Sequence, residues 1–221
     1  MPEGLINING GSVQTLEILF LTTMIALLPS LLVMMTSFTR YVISFSFLRS
    51  AMGTQQTPPN IVLIGLAVIL TYYTMGPAFA RIKTEAYDPY VEEEIDQVEF
   101  LERAAVPLKE FMLDNTKWNT LGMFCELAGV DTPADRAGAE ELPLRIITPS
   151  FVTCELGRAF EIGLLLYIPF MLIDVVVSST LMSMGMIMLP PSMISAPFKL
   201  LLFISLNGWQ MLFSSLVLGF N

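Results

Sequence analysis

With 54% hydrophobic and only 14% charged residues over 221 positions, and a mean hydropathy of +0.66, the chain has a membrane-type composition rather than that of a water-soluble domain. Its formal net charge of -9 and the lack of any basic cluster remove the electrostatic footprint of a nucleic-acid binder. The absence of histidine takes away the commonest zinc ligand and the usual general base, so metal and hydrolase readings start low.

Charge is unevenly spread: residues 81–145 hold 15 of the 20 acidic and 7 of the 11 basic residues. This divides the chain into an N-terminal segment with a first apolar helical hairpin (1–80), an acidic exterior helical domain (81–147) and a second apolar hairpin (148–221). Residues 1–11 lack a basic n-region and end in turn-forming Asn and Gly, so they read as a mature or trimmed start rather than a signal peptide. Residues 18–39 are uncharged and, at ~1.5 Å per residue, long enough for a ~30 Å hydrocarbon core, with a kink expected at Pro29. The stretch TSFTRYVISFSFLRSAMGTQQTPPN (36–60) reads as the turn of the hairpin, with Thr57 as N-cap and Pro58 at the first helical position. The uncharged arm 61–80 completes it.

In the middle, DPYVEEEIDQVEFLERAAVPLKEFML has the spacing of an amphipathic helix, with acidic residues in its first turns where the macrodipole favours them. Pro107 is expected to break or kink it. A second helix is predicted over about 116–127, carrying Trp118, Leu121 and Phe124, and a loop over 131–141. Cys125 and Cys154 are the only cysteines; spacing does not decide between a disulfide and the favoured reading of free thiols.

Thr148-Pro149 reads as a cap followed by proline, restarting a helix on which Glu155, Arg158 and Glu161 share one face. A solvated face and a subunit contact are both compatible with that trio. Asp174 and Lys199 stand isolated in uncharged runs, where an ionisable group needs a partner or a cavity unless it snorkels to the interface. Arg40, Arg49 and Lys199 are placed at hairpin tips with no acid close by. By the positive-inside tendency the tips then face the cytoplasm, and the acidic domain and both termini lie outside.

The segment LMSMGMIMLPPSMISAPFK (181–199) holds five of the 15 methionines. Met182, Met184, Met186 and Met188 alternate, so in an extended strand they share a face. Pro190 lacks an N–H, crowds the preceding turn and pushes Leu189 out of the α region, which disfavours a helix. No charge occurs over 175–198, and irregular backbone at membrane depth must be buried in protein or line a water-filled cavity. Gly185 supplies backbone freedom and Pro190-Pro191 stops the segment winding up. A methionine-lined, pore-facing bend is therefore expected, with ordinary apolar packing as the bland alternative.

The stretches TSFTRYVISFSFLRSAMGTQQTPPN and ELGRAFEIGLLLYIPFMLIDVVVSSTLMSMGMIMLPPSMISAPFKLLLFISLNGWQ, with PLKEFML between them, resemble the two signatures of the flagellar biosynthetic protein FliP family. That family includes the equivalent inner-membrane subunits of virulence type III secretion systems. The resemblance implies an all-α subunit, with roughly five copies wound into a ring-like or helical oligomer through head-to-tail contacts. It implies FliQ, FliR, FlhB and FlhA as partners, membrane lipid as surroundings and unfolded flagellar export substrates as cargo. It places the protein in the bacterial inner membrane, as an export gate within the flagellar basal body, with a large periplasmic-side portion. The family's pore constriction falls on Met186, Ile187 and Met188, Ile187 standing in a position commonly held by methionine. Family charges for assembly or export match Glu155, Asp174 and Lys199, and ring aromatics match Phe111 and Phe124, for which local core is the alternative.

A small-molecule transporter would also explain broken helices and isolated charges, but no related halves are visible. An intramembrane enzyme lacks a nucleophile with a nearby base. The expectation is therefore a structural and gating subunit, not an enzyme, with no cofactor or metal.

Overall fold

In a computed structural model, the structure describes residues 6–8, 11–13, 15–54, 56–186 and 188–220. A short antiparallel hairpin of β1 (Ile6–Ile8) and β2 (Gly11–Val13) precedes a chain that is otherwise α-helical. Helix α1 (Thr15–Met35) runs through Pro29, and the segment Pro29–Met35 meets α2 (Phe38–Met52) at 80°. Most of the stretch expected to be the hairpin turn is thus helix. Tyr41, Phe45, Leu48 and Met52 recur at 4, 3 and 4 residues, one apolar stripe that is buried throughout. The stripe outweighs the two arginines that had marked the segment as a tip.

The turn itself is confined to the residues after Met52, where Gly53 takes the left-handed conformation (φ 73°) and closes α2. Thr57 is not the N-cap of the return helix α3 (Asn60–Thr74): Pro59 holds that position, and the Thr57 carbonyl instead accepts the Thr54 hydroxyl. The return arm bends by 65° at Met75, because Pro77 in α4 (Gly76–Ile82) has no N–H for the Tyr73 carbonyl.

A π-helical turn (Lys83–Tyr87) and α5 (Asp88–Val91) lead into the acidic region. The expected single helix starts twice here. Glu93 adopts a positive φ of 61°, and Asp96 then caps α6 (Gln97–Asp114) by accepting the Glu99 N–H at 2.8 Å. Helix α6 continues through Pro107 without a break. Helix α7 (Trp118–Leu127) lies where expected, whereas the predicted loop contains a short α8 (Arg136–Glu141), capped by Asp135.

The dominant element is α9 (Leu144–Ser183), 40 residues and therefore about 60 Å long. It begins after extended Pro143, not at Thr148-Pro149, which lie inside its second turn. Two apolar cores ride on it. Met112, Leu113, Leu121, Cys125, Ile146, Ile147 and Phe151 pack α6 and α7 against its start. Further along, Tyr41, Phe45, Leu48, Leu63, Ala67 and Phe170 join α2 and α3 to its middle. The same core includes Phe203 of α10 (Pro191–Ser205) and Leu212 and Leu216 of α11 (Gly208–Leu218). At the α2–α9 crossing a Cβ on Gly163 would lie 2.5 Å from the Phe47 ring, so only glycine permits this approach. Both cysteines are buried and free, and Cys154 Sγ accepts the Lys117 N–H at 3.3 Å.

Candidate functional site

Helix α9 ends in a Schellman turn. The Met186 N–H donates to the Leu181 carbonyl and the Gly185 N–H to the Met182 carbonyl, both at 3.0 Å, with Gly185 at φ 73°. The extended alternation expected for the methionines therefore does not form: Met182 belongs to the last helical turn, and the loop is limited to the residues between α9 and α10. Pro190 is extended and serves as N-cap residue, and Pro191 opens α10 at the position where a missing N–H costs nothing. The outcome is a helical hairpin with thioethers at its tip. Met188 is 96% exposed and Met186 40% exposed, while Ile187 lies outside the described residues.

Below the loop, Asp174 and Lys199 meet. Lys199 Nζ lies 2.7 Å from Asp174 Oδ2, and Ser195 donates its hydroxyl to Asp174 Oδ1 at 2.6 Å. The ammonium also donates to the Ala51 carbonyl at 3.0 Å, satisfying an open group in the last turn of α2. Lys199 is buried and Asp174 half-exposed. The two isolated charges thus neutralise each other and tie α9, α10 and α2 together, so neither stands without an acid or base as its sequence surroundings implied.

A second charge cluster lies nearer the start of α9. Arg40 and Glu155 are 1% and 0% exposed and pair in a fork, Nε to Oε2 at 2.7 Å and Nη2 to Oε1 at 2.6 Å. Arg40 is therefore not at a hairpin tip but at the opposite end of α2, facing an acid 115 residues away in sequence. Arg158 also reaches Glu155, at 3.3 Å, and donates to Asn115 at 3.2 Å. Glu161, on the same helical face by sequence, is exposed and makes no ion pair among the described residues. The only sequence signal for the missed Arg40–Glu155 pair was that each is charged beside strongly apolar neighbours.

The two aromatic candidates are half-buried. Phe111 packs edge-on to Phe151 (5.9 Å between centroids) and stacks on Phe220 (5.8 Å), while Phe124 rests on the core between α6, α7 and α9. Burial in that core pushes the Cys125 thiol pKa up.

A long apolar helix, three sharply bent helix pairs of similar composition and a hairpin with an uncharged methionine tip define an all-helical protein of membrane type. Among the described residues α9 is the one helix long and apolar enough to cross a membrane, and up to four spans result if each bent pair counts as one. The profile of the FliP family matches residues 21–216, and the chain belongs to that family. It is 46% identical over 214 residues to the flagellar biosynthetic protein FliP of Pectobacterium carotovorum subsp. carotovorum, covering 96% of this chain and 82% of that one. The FliP of Aquifex aeolicus (strain VF5) is 46% identical over 96% of this chain and 88% of its own length. That of Bacillus subtilis (strain 168) is 45% identical over 94% and 92%. Against the FliP of Buchnera aphidicola subsp. Baizongia pistaciae (strain Bp) the chain spans 59% of the relative's length.

Proposed function

We propose that this chain is a structural and gating subunit of the flagellar type III protein export apparatus, without enzymatic activity. In this reading roughly five copies assemble head to tail, as heterologous contacts allow, and form with FliQ and FliR a channel for unfolded flagellar proteins. FlhA and FlhB are its neighbours, and it sits in the bacterial inner membrane with the acidic helices on the periplasmic side. One observation carries it: a hairpin whose tip exposes Met186 and Met188 on a loop fixed by Gly185 and closed by Pro190-Pro191. Several such tips on one axis exclude water as a hydrophobic constriction and part around a passing chain, since thioethers are flexible and undemanding.

The remaining residues have assembly roles. Glu155, Asp174 and Lys199 hold the helices that present the tip, and the open faces of Phe111 and Phe124 meet the next copy in the ring. Membership of the family supports the flagellar setting, and the exposed apolar length of α9 supports a site enclosed by neighbouring subunits or lipid. The reading is tested by the mass of the complex purified in mild detergent after co-expression with FliQ and FliR. A multi-copy assembly containing both partners is expected; a lone chain or a dimer contradicts it.

A further inference from the structure

We infer that Arg40 is a positioning residue that clasps the end of α11 and thereby fixes the bent α10–α11 pair against the acidic domain. The fork to Glu155 occupies Nε and Nη2, and the remaining nitrogen, Nη1, donates to the Gly219 carbonyl at 3.0 Å. The last turn of a helix leaves carbonyls without partners, and a cation there satisfies both the hydrogen bond and the dipole. The guanidinium also sits over the next side chain, with Cζ 3.4 Å from the centre of the Phe220 ring. That ring is in turn wedged between Tyr41 (5.6 Å, edge-on) and Phe111 (5.8 Å, stacked). The end of α11 is thus gripped by α2 and α6, with Glu155 of α9 behind the grip.

Among the described residues, no other hydrogen bond or ion pair ties α11 or its cap to a distant element. Its remaining attachment is apolar, through Leu212 and Leu216 with Trp209 and Phe213 beside them, and such contacts fix burial more than position. Only arginine can serve, because its planar fork presents separate donors to Glu155 and Gly219 while its face covers an aromatic ring; a lysine ammonium has none of that geometry. What the clasp holds is mechanically connected to the tip. Helix α11 meets α10 at 63°, α10 carries Lys199, and α10 begins immediately after the methionine loop. The consequence for gating rests on the export-gate reading above, but the clasp itself does not.

The test uses the full chain in its assembled complex, with spin labels at Met123→Cys on α7 and Met211→Cys on α11, both exposed positions, and labelled subunits diluted with unlabelled ones. The native distance distribution is expected to be narrow. Phe220→Ala, which lies outside the ion pair and leaves it intact, is expected to broaden or shift that distribution, and Phe220→Tyr, which keeps a ring under the guanidinium, to restore it. Arg40→Lys is expected to broaden it too. A contribution to stability alone would lower the melting temperature of Phe220→Ala without moving the distance. An unchanged, narrow distribution in folded Phe220→Ala overturns the clasp, whatever a leak assay on the methionine loop returns.

Discussion

The two halves of α9 are built differently. From Leu144 to Ala159 the helix buries Ile146, Ile147, Ser150, Phe151, Cys154, Glu155 and Ala159, and the buried Ser150 and Glu155 find partners within the chain. Beyond Gly163 only Phe170 is buried, while Leu164, Leu165, Leu172, Val175 and Val176 are exposed. The charge clusters follow the same division, with both partners of Arg40–Glu155 sealed and Asp174 half-open beside buried Lys199. The first half is completed by its own chain. The second half, which ends at the methionine tip, leaves most of its apolar surface uncovered by its own chain.

This contrast sets the order of expected effects. The largest belongs to Glu155→Gln, which strands the Arg40 cation in a fully buried site; breaking such a pair costs about 3–5 kcal/mol. Thermal unfolding of the extracted subunit is expected to shift accordingly, and an unchanged melt would mean that water reaches Arg40. A similar loss, about 3–5 kcal/mol, is expected for Phe151→Ala, whereas Leu172→Ala in the same helix is expected to stay within about 0.5 kcal/mol in the isolated chain. Equal losses at the two positions would erase the distinction between the halves.

Asp174→Asn and Lys199→Met follow. Asp174 is partly open to its surroundings, so losing the pair is expected to cost about 1–3 kcal/mol in the subunit, comparable to leaving a buried group unsatisfied. The clearer readout is recovery of the intact oligomer, or export, either of which is expected to fall. Wild-type assembly and export in both variants would reduce the pair to an accommodation. The smallest effect concerns the two thiols at and beside the first half, Cys154 on α9 and Cys125 on α7. The thiolate is the reactive form, and burial raises the Cys125 pKa, so Cys125 and Cys154 are expected to resist a maleimide at neutral pH until the protein is unfolded. Rapid labelling in the native state would show that this core opens.

Legibility in the sequence followed the same division. Apolar runs and the uncharged 175–198 stretch disclosed helices and the methionine bend, because periodicity and charge are local properties. Prolines were a mixed guide: Pro107 and Pro149 sit inside helices whose packing outweighs one lost hydrogen bond, whereas Pro190-Pro191 stand where the tip gives way to α10. The alternation from Met182 to Met188 suggested a strand because a period of two is indifferent to where a helix stops; the Schellman bonds at Gly185 decide that. Arg40 looked like a tip charge because its partner, Glu155, is remote in sequence, and single-chain patterns carry no information about pairing at that distance. Asp174 and Lys199 were visible as isolated charges, but only the antiparallel return of α10 along α9 shows that each answers the other.

The central claim is that the methionine tip seals a resting export path, and ion leakage tests it most directly. Met186 and Met188 would be replaced by alanine, or Gly185 to Met188 deleted, in cells whose complex is verified as fully assembled. Ion leakage is expected to rise while export is retained, because removing the thioethers opens a dewetted constriction to water. An assembled variant that remains as tight as the wild type would contradict the seal and return these methionines to ordinary packing.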